Sequence, residues 1–212
     1  MTNNTPTSPT EGIDFATDSP VSADPRQSLL RALDIMGGIV DQVQPDQLAG
    51  PTPCAEFDTS ALLGHIVGVA RRVSALGRGE DGNAVSLEVT DVAPDAWSGA
   101  WATEAGRIED AWANDTVLQK MMALPFAELP GGAAASLYAA EFTVHGWDLA
   151  TAIGAEVTWS DQIATDALAV VQFGIPAEGR GTVVPFDPVV ALPADAAPIE
   201  LLVAWVGRNP RP

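Results

Sequence analysis

Apolar residues recur at helical spacing in four long stretches of this chain, and that repeat limits the fold more than any other feature. Leu29, Leu30, Leu33, Met36, Ile39, Val40 and Val43 mark the first, 25–44, with Asp24 placed as its cap and Pro25 at its first position. Leu62, Ile66, Val69 and Val73 mark the second, 58–77, capped by Asp58 or Thr59. Trp97, Trp101, Ile108 and Trp112 mark the third, 94–114, starting at Asp91 or Pro94. The fourth runs over 133–153 and stops at Gly154, a residue suited to closing a helix. Shorter helices are predicted over 160–173 and 199–206. Gly37-Gly38 costs the first helix about 1 kcal/mol each relative to alanine, in exchange for close packing or a kink. Strand signals are weak. Only Val183-Val184 and Val189 to Leu192 read as extended, and Leu124 to Gly132 reads as a turn-rich loop. The predicted class is all-α: a four-helix bundle with a C-terminal tail packed on it.

Composition narrows what such a chain can meet. Apolar residues are 47% of the 212, enough for a sizeable core. Ten basic against 28 acidic residues give a net charge of −18, which repels nucleic acid and anionic membrane. The single cysteine, Cys54, excludes an internal disulfide and any multi-cysteine metal cluster. No early basic-then-apolar segment suggests a signal peptide, and no apolar run nears the roughly 20 residues of a spanning helix. A cytoplasmic protein is expected. Residues 1–23, rich in Thr, Ser, Pro, Asn and Asp, are predicted disordered, 24–158 form the bundle, and 159–212 an extension packed on it.

Two histidines, His65 and His145, both fall in predicted helices. Glu141, His145 and Asp148 stand at i, i+4 and i+7, so they share a helical face, together with Leu137 and Val144. That apolar company makes the face an inward-looking one. Two carboxylates and an imidazole turned to a core are costly unless satisfied, and a divalent metal would satisfy them. His65 on the second helix would complete a His, Glu, His set, three ligands plus an open position being the usual catalytic zinc architecture. The plainer reading is a core histidine beside an i, i+4 ion pair, because Glu-x-x-x-His is a common chance pattern. Asp148 would hold His145 in place as metal-bound histidines require, or serve a helix end. Cys54 reads as a small buried hydrophobe rather than a thiol beside the metal. Arg71 and Arg72 read as solvated surface residues, although Arg72 lies on His65's side and could meet a substrate carboxylate. The tryptophans read as core and tail anchors, with Trp147 and Trp159 able to wall a pocket.

The block Pro51-Thr52-Pro53-Cys54-Ala55-Glu56-Phe57-Asp58, running on to Leu62-Leu63-Gly64-His65-Ile66-Val67-Gly68, resembles the DinB/YfiT-like superfamily. More narrowly it is similar to the actinobacterial metal-binding group related to mycothiol-dependent maleylpyruvate isomerase. Leu124-Pro125-Phe126 with Pro130-Gly131, Val144 to Ala150, and Gly207-Arg208-Asn209-Pro210 agree, so the resemblance covers residues 25–212. It implies a bundle of up-down-down-up type. It also implies a metal triad of one histidine on the second helix and a Glu-x-x-x-His pair on the last, here His65, Glu141 and His145. Zinc leads among the metals, with nickel, iron and manganese open.

The resemblance implies an enzyme in which the metal activates a low-molecular-weight thiol, mycothiol, for attack on a small electrophile, as an S-transferase or isomerase. The isomerase carries an extra domain related to sterol-carrier proteins, and the residues after the fourth helix are too few for it. Transfer is therefore expected rather than maleylpyruvate isomerisation. The alternatives are a non-catalytic metal-binding stress or sensor module, and a scaffold with a vestigial site. A homodimer is compatible with a bundle of this kind, but no exposed apolar stripe argues for one.

Overall fold

The computed structural model describes residues 24–181, 184 and 186–211; the expectations for 1–23 and for Val183 lie outside them. Helix α1 (Pro25–Val40) begins as its cap dictates, the Asp24 side chain accepting from the Arg26 N–H. It is shorter than predicted. Gln44 precedes Pro45 and is driven to extended backbone (φ −105°, ψ 147°), so the chain leaves the helix before it. Val43 still packs on the core from outside the helix. Helix α2 (Thr59–Arg78) starts at Asp58, which accepts from the Ala61 N–H. Helix α3 (Trp97–Trp112) begins later than expected, because Ala93 to Ala96 form a turn and no side chain caps the helix before Trp97.

The turn-rich stretch before the fourth helix is a small hairpin, the main departure from an all-helical reading. Strands β1 (Met121–Ala123) and β2 (Glu128–Pro130) pair antiparallel, Met122 opposite Leu129. The Leu124 N–H donates to the Ala127 carbonyl and closes the turn. Three-residue strands carry too few side chains to show a period of two, so sequence pattern cannot reveal them. Helix α4 (Gly131–Ile153) follows directly and ends at Gly154 in the left-handed region (φ 69°). Helices α5 (Asp161–Gly174) and α6 (Pro198–Trp205) close the chain. The extended pieces expected between them form no strand among the described residues; Val184 makes one isolated bridge with Arg180. The described residues are thus mostly helical, with six α-helices and one two-stranded sheet.

Helix α4 is the centre of the packing. It lies against α1, α2 and α5. Ala135, Tyr138, Phe142 and Leu149 join the larger hydrophobic cluster with α1, α2 and α3, whereas Ala140 and Val144 join a second cluster with α5 and α6. A helix apolar nearly all round is a buried one. The face carrying Glu141 and His145 therefore does not look into a single core. Leu137 packs on the larger cluster and Val144 on the smaller, so the polar groups sit at the seam between them.

The tryptophans act as anchors. The Trp112 indole N–H donates to the Val73 carbonyl at 2.9 Å and that of Trp205 to Ile175 at 3.0 Å, while Trp101 meets Phe142 edge-on. Gly37 admits close packing, its α-carbon facing the Trp101 ring. On α2, Gly64 and Gly68 let the 87–89 backbone lie directly against the helix. A Cβ at Gly64 would collide with the Val89 carbonyl oxygen, and one at Gly68 with the Leu87 backbone. No helix among the described residues is long and apolar enough to cross a membrane.

Candidate metal centre

His65 stands in the second turn of α2. Its ring is set by Phe57, stacked on it with centroids 5.0 Å apart and planes 25° apart. Phe57 is held in turn by a knotted loop. Its N–H donates to the Cys54 carbonyl, and the Thr52 hydroxyl accepts from the Cys54 N–H while lying 2.9 and 2.8 Å from the Cys54 and Phe57 carbonyl oxygens. The loop before α2 thereby orients the first nitrogen donor.

Glu141 and His145 face it from successive turns of α4. His65 Nε2 lies 3.2 Å from Glu141 Oε1, and His145 Nε2 lies 3.5 Å from the same oxygen. The two rings stand nearly perpendicular, 5.1 Å apart. One donor atom from each of the three residues falls within 4.8 Å of the others. Two ligands at about 2.0–2.1 Å from a tetrahedral zinc are about 3.3 Å apart, so the donor spacing and donor types fit such an ion. Glu141 is 38% exposed at its side chain while His65 and His145 are 16% and 11% exposed, which opens the cluster to solvent on the carboxylate side.

Behind His145 the polar chain continues inward. His145 Nδ1 lies 3.1 Å from Asp148 Oδ2, and Asp148 is fully buried. A carboxylate only accepts, so Nδ1 carries the proton and Nε2 is the nitrogen left to face Glu141. Arg208, just beyond α6, grips Asp148 with Nε on Oδ1 at 3.2 Å and Nη2 on Oδ2 at 3.0 Å. Burial alone would raise the Asp148 pKa, but hydrogen bonds from His145 and Arg208 and their charges hold it below the usual carboxylate range. Burial likewise opposes a charge on His145, yet the Glu141 charge and the bonds to Asp148 and Glu141 prevail and push it up to about 9. Burial would raise Glu141 too; the facing imidazoles keep it well below its ordinary value.

Cys54 is buried as expected, and it also sits beside the site, its sulfur within 4.8 Å of donor atoms on His145 and Asp148. Burial pushes its thiol up, against the pull of Arg208. A cation there would stand next to the Arg208 guanidinium, so the Cys54 side is the poorer place for a metal. Arg71 and Arg72 are not free surface residues. Arg71 pairs with Glu104, and Arg72 donates to the carbonyls of Gly82 and Val85. Trp159 covers Gly146, and both it and Trp147 pack on the hydrophobic clusters. Sequence reasoning missed Phe57 and Arg208 as parts of the site. Arg208 meets Asp148 across 60 residues, which no helical period can register.

Comparison with known proteins places these residues in context. The family model for the mycothiol maleylpyruvate isomerase N-terminal domain matches residues 29–150, which include His65, Glu141, His145 and Asp148. An uncharacterized protein of Mycobacterium tuberculosis, found in two strains, is 30% identical over 188 residues, 89% of this chain and the whole of its own. Crystal structures of the mycothiol-dependent maleylpyruvate isomerase and of a histidine-to-alanine variant share the fold. Each has a TM-score of 0.54 at 16% identity, over 72% of this chain and 67% of the isomerase.

Proposed function

Given that the chain belongs to the mycothiol maleylpyruvate isomerase N-terminal domain family, we propose that it is a divalent-metal-dependent enzyme that transfers a low-molecular-weight thiol, mycothiol, to small electrophiles. The observation that carries this reading is the convergence of His65 Nε2 and His145 Nε2 on one oxygen of half-exposed Glu141. His65, Glu141 and His145 would hold the ion, with zinc the best match to two imidazoles and a carboxylate at this spacing. When bound, such an ion supplies Lewis acidity that lowers the proton affinity of a thiol, so that the thiol reacts as thiolate.

The chain's own residues supply position. Phe57 fixes the His65 ring from the loop side, and Asp148 and Arg208 fix His145 from the core side. Substrates enter past Glu141, the exposed edge of the cluster. The thiol passes its proton to solvent and the thiolate sulfur bonds to the electrophilic carbon; chloride leaves with the bonding electron pair, or the epoxide C–O bond opens and its oxygen takes a proton from solvent.

The finer architecture we read as the up-down-down-up bundle, residues 24–158, with 159–212 packed on it. In support, Pro25 lies near Gly132, and Met36 and Ile39 near Gly146, so α1 and α4 advance together. Arg71 meets Glu104, and Gly77 meets Trp112, so α2 and α3 also advance together. The test of function is to incubate zinc-loaded protein with mycothiol and a panel of chlorinated and epoxide electrophiles and to quantify conjugates by mass spectrometry. The expected outcome is conjugation at least tenfold faster than with thiol alone; no acceleration across the panel overturns the transferase reading.

A further inference from the structure

Helix α2 carries a second polar face, away from the histidine cluster. Arg71, Ser74 and Arg78 stand at i, i+3 and i+7 and share a side of the helix. Ser74 follows His65 by nine residues, which at 3.6 residues per turn places it on the opposite side of α2. Glu104 and Arg107 answer from α3, and Glu80 and Val85 from the loop that follows α2. Together these residues line a groove of about 350 Å3.

The groove is built around a carboxylate that leaves its partners incompletely used. Glu104 is almost fully buried, and one of its oxygens, Oε1, accepts from Arg71 Nε at 3.1 Å and from Arg107 Nη1 at 3.0 Å. That shared oxygen fixes two guanidinium groups side by side but neutralises only one of them. Both Nη groups of Arg71, and the Nε and Nη2 of Arg107, make no hydrogen bond among the described residues. Arg78 is fully committed: its Nε and Nη2 lie 2.7 Å from the two Glu80 oxygens, and its Nη1 donates to the Ser74 hydroxyl. Three guanidinium groups thus face two carboxylates. A fourth stands at the rim, where Arg72 Nη2 donates to the carbonyl of Val85 at 3.3 Å and makes no ion pair among the described residues. These four arginines are four of only ten basic residues in a chain of net charge −18. An anion repelled by the rest of the surface meets its attraction here.

We propose that the α2–α3 groove binds a phosphate group, either free or carried by a small molecule. Its oxygens accept from the unused N–H groups of Arg71 and Arg107, whose planar forks match a phosphate and whose bonds to it are charge-assisted. A dianion answers the two surplus charges, one within the groove and one at its rim. Ala75 and Val85 supply an apolar wall for the body of an ester. No residue of the His65, Glu141, His145 cluster takes part, so the site does not depend on the thiol-transfer reading.

Phenyl phosphate, inorganic phosphate and benzoate separate the possibilities when titrated calorimetrically into the full chain, zinc-loaded and metal-free. Phenyl phosphate is expected to bind at least tenfold more tightly than benzoate, a monoanion with the same ring. Tighter binding of phenyl phosphate than of inorganic phosphate assigns the site to an ester, and equal binding assigns it to the free ion. Arg107→Gln removes an exposed partner, and should weaken phenyl phosphate about tenfold through the lost charge-assisted bonds. Val85→Glu keeps every arginine, sets a carboxylate in the lining and should weaken it at least as much, which decides the matter if Arg107→Gln unfolds. Arg211→Gln, which removes the same charge beyond α6, should change nothing. Affinity unchanged in both Arg107→Gln and Val85→Glu overturns the site, as does equal binding of benzoate. Loss of phosphate binding on removal of zinc also overturns it, since the metal would then be the acceptor. Phosphate binding without thiol conjugation leaves this site standing and removes the transferase reading, and conjugation without phosphate binding does the reverse.

Discussion

Helix α2 meets two glutamates on its two sides, and they differ in what faces them. Glu104 of α3 is almost fully buried and is enclosed by the guanidinium groups of Arg71 and Arg107, at 3.1 and 3.0 Å. Glu141 of α4 is half-exposed and is met by two imidazoles at similar distances. Arginine does not lose its proton in a protein, so the Glu104 cluster is a closed ion pair with no lone pair to offer. Imidazole can give up its proton, to a metal ion among other competitors, and a ring that does so presents a nitrogen lone pair beside a carboxylate. Similar geometry thus makes a structural clasp on one side of α2 and a metal-competent site on the other. The partner's pKa, not the presence of a buried carboxylate, separates the two.

The largest expected effect tests that distinction directly. His65→Ala and His145→Ala should each reduce bound zinc, measured by elemental analysis after dialysis, from about one per chain to well below one. Arg71→Ala removes a partner of the other glutamate and should leave zinc at the wild-type level. Unchanged zinc in both histidine variants would dissolve the contrast between the clusters.

A second test concerns burial. Arg208→Ala strips the buried Asp148 of its guanidinium and leaves a carboxylate with no access to water. Urea denaturation should show a loss of about 3–5 kcal/mol, the cost of breaking a buried pair from one side. Zinc affinity should also fall about 10- to 100-fold, because His145 loses the anchored acceptor behind it. Arg107→Ala is the matched control on the other cluster. Arg107 is 58% exposed and Glu104 keeps Arg71, so the expected loss is about 0–1 kcal/mol. Equal losses in the two variants would mean that both clusters are structural clasps.

The two sides were unequally legible in the sequence. Helical periodicity located α1 to α6 to within a few residues, because amphipathic repeats and capping residues such as Asp24, Asp58 and Ser160 are local signals. Glu141, His145 and Asp148 were legible as one face for the same reason. What periodicity could not give was the partner across helices. Arg71 and Arg72 are neighbours and look alike in sequence, yet one closes on Glu104 and the other is held by a loop. The direction of each follows from tertiary packing. The Glu141 face looks inward in the structure as well, with Val144, His145 and Asp148 buried, but it lies at the seam between two hydrophobic clusters and not in a single core. The hairpin of β1 and β2 was too short for any periodic signal.

The smallest effect follows from protons and has opposite signs in the two metal states. In the metal-free protein, His145 is raised from its ordinary 6.5 to about 9. The stabilisation from protonating it in the fold is complete below about pH 6.5 and is lost as pH rises through about 9. Thermal unfolding of metal-free protein should therefore move to lower temperature across that window. Zinc must displace the same proton, so its affinity should rise about tenfold per pH unit from 7 to 9 and level off beyond, with about one proton released per zinc at pH 7 in calorimetry. The Glu104 cluster contributes no ligand to the proposed metal site, so Glu104→Gln should leave the pH slope of zinc binding unchanged. Asp148→Asn removes one of the two carboxylates that hold the proton on His145 and should flatten the slope at its upper end. A slope of zero in wild type would show that His145 is already neutral at pH 7, and that Glu141 is clasped by hydrogen bonding much as Glu104 is by charge.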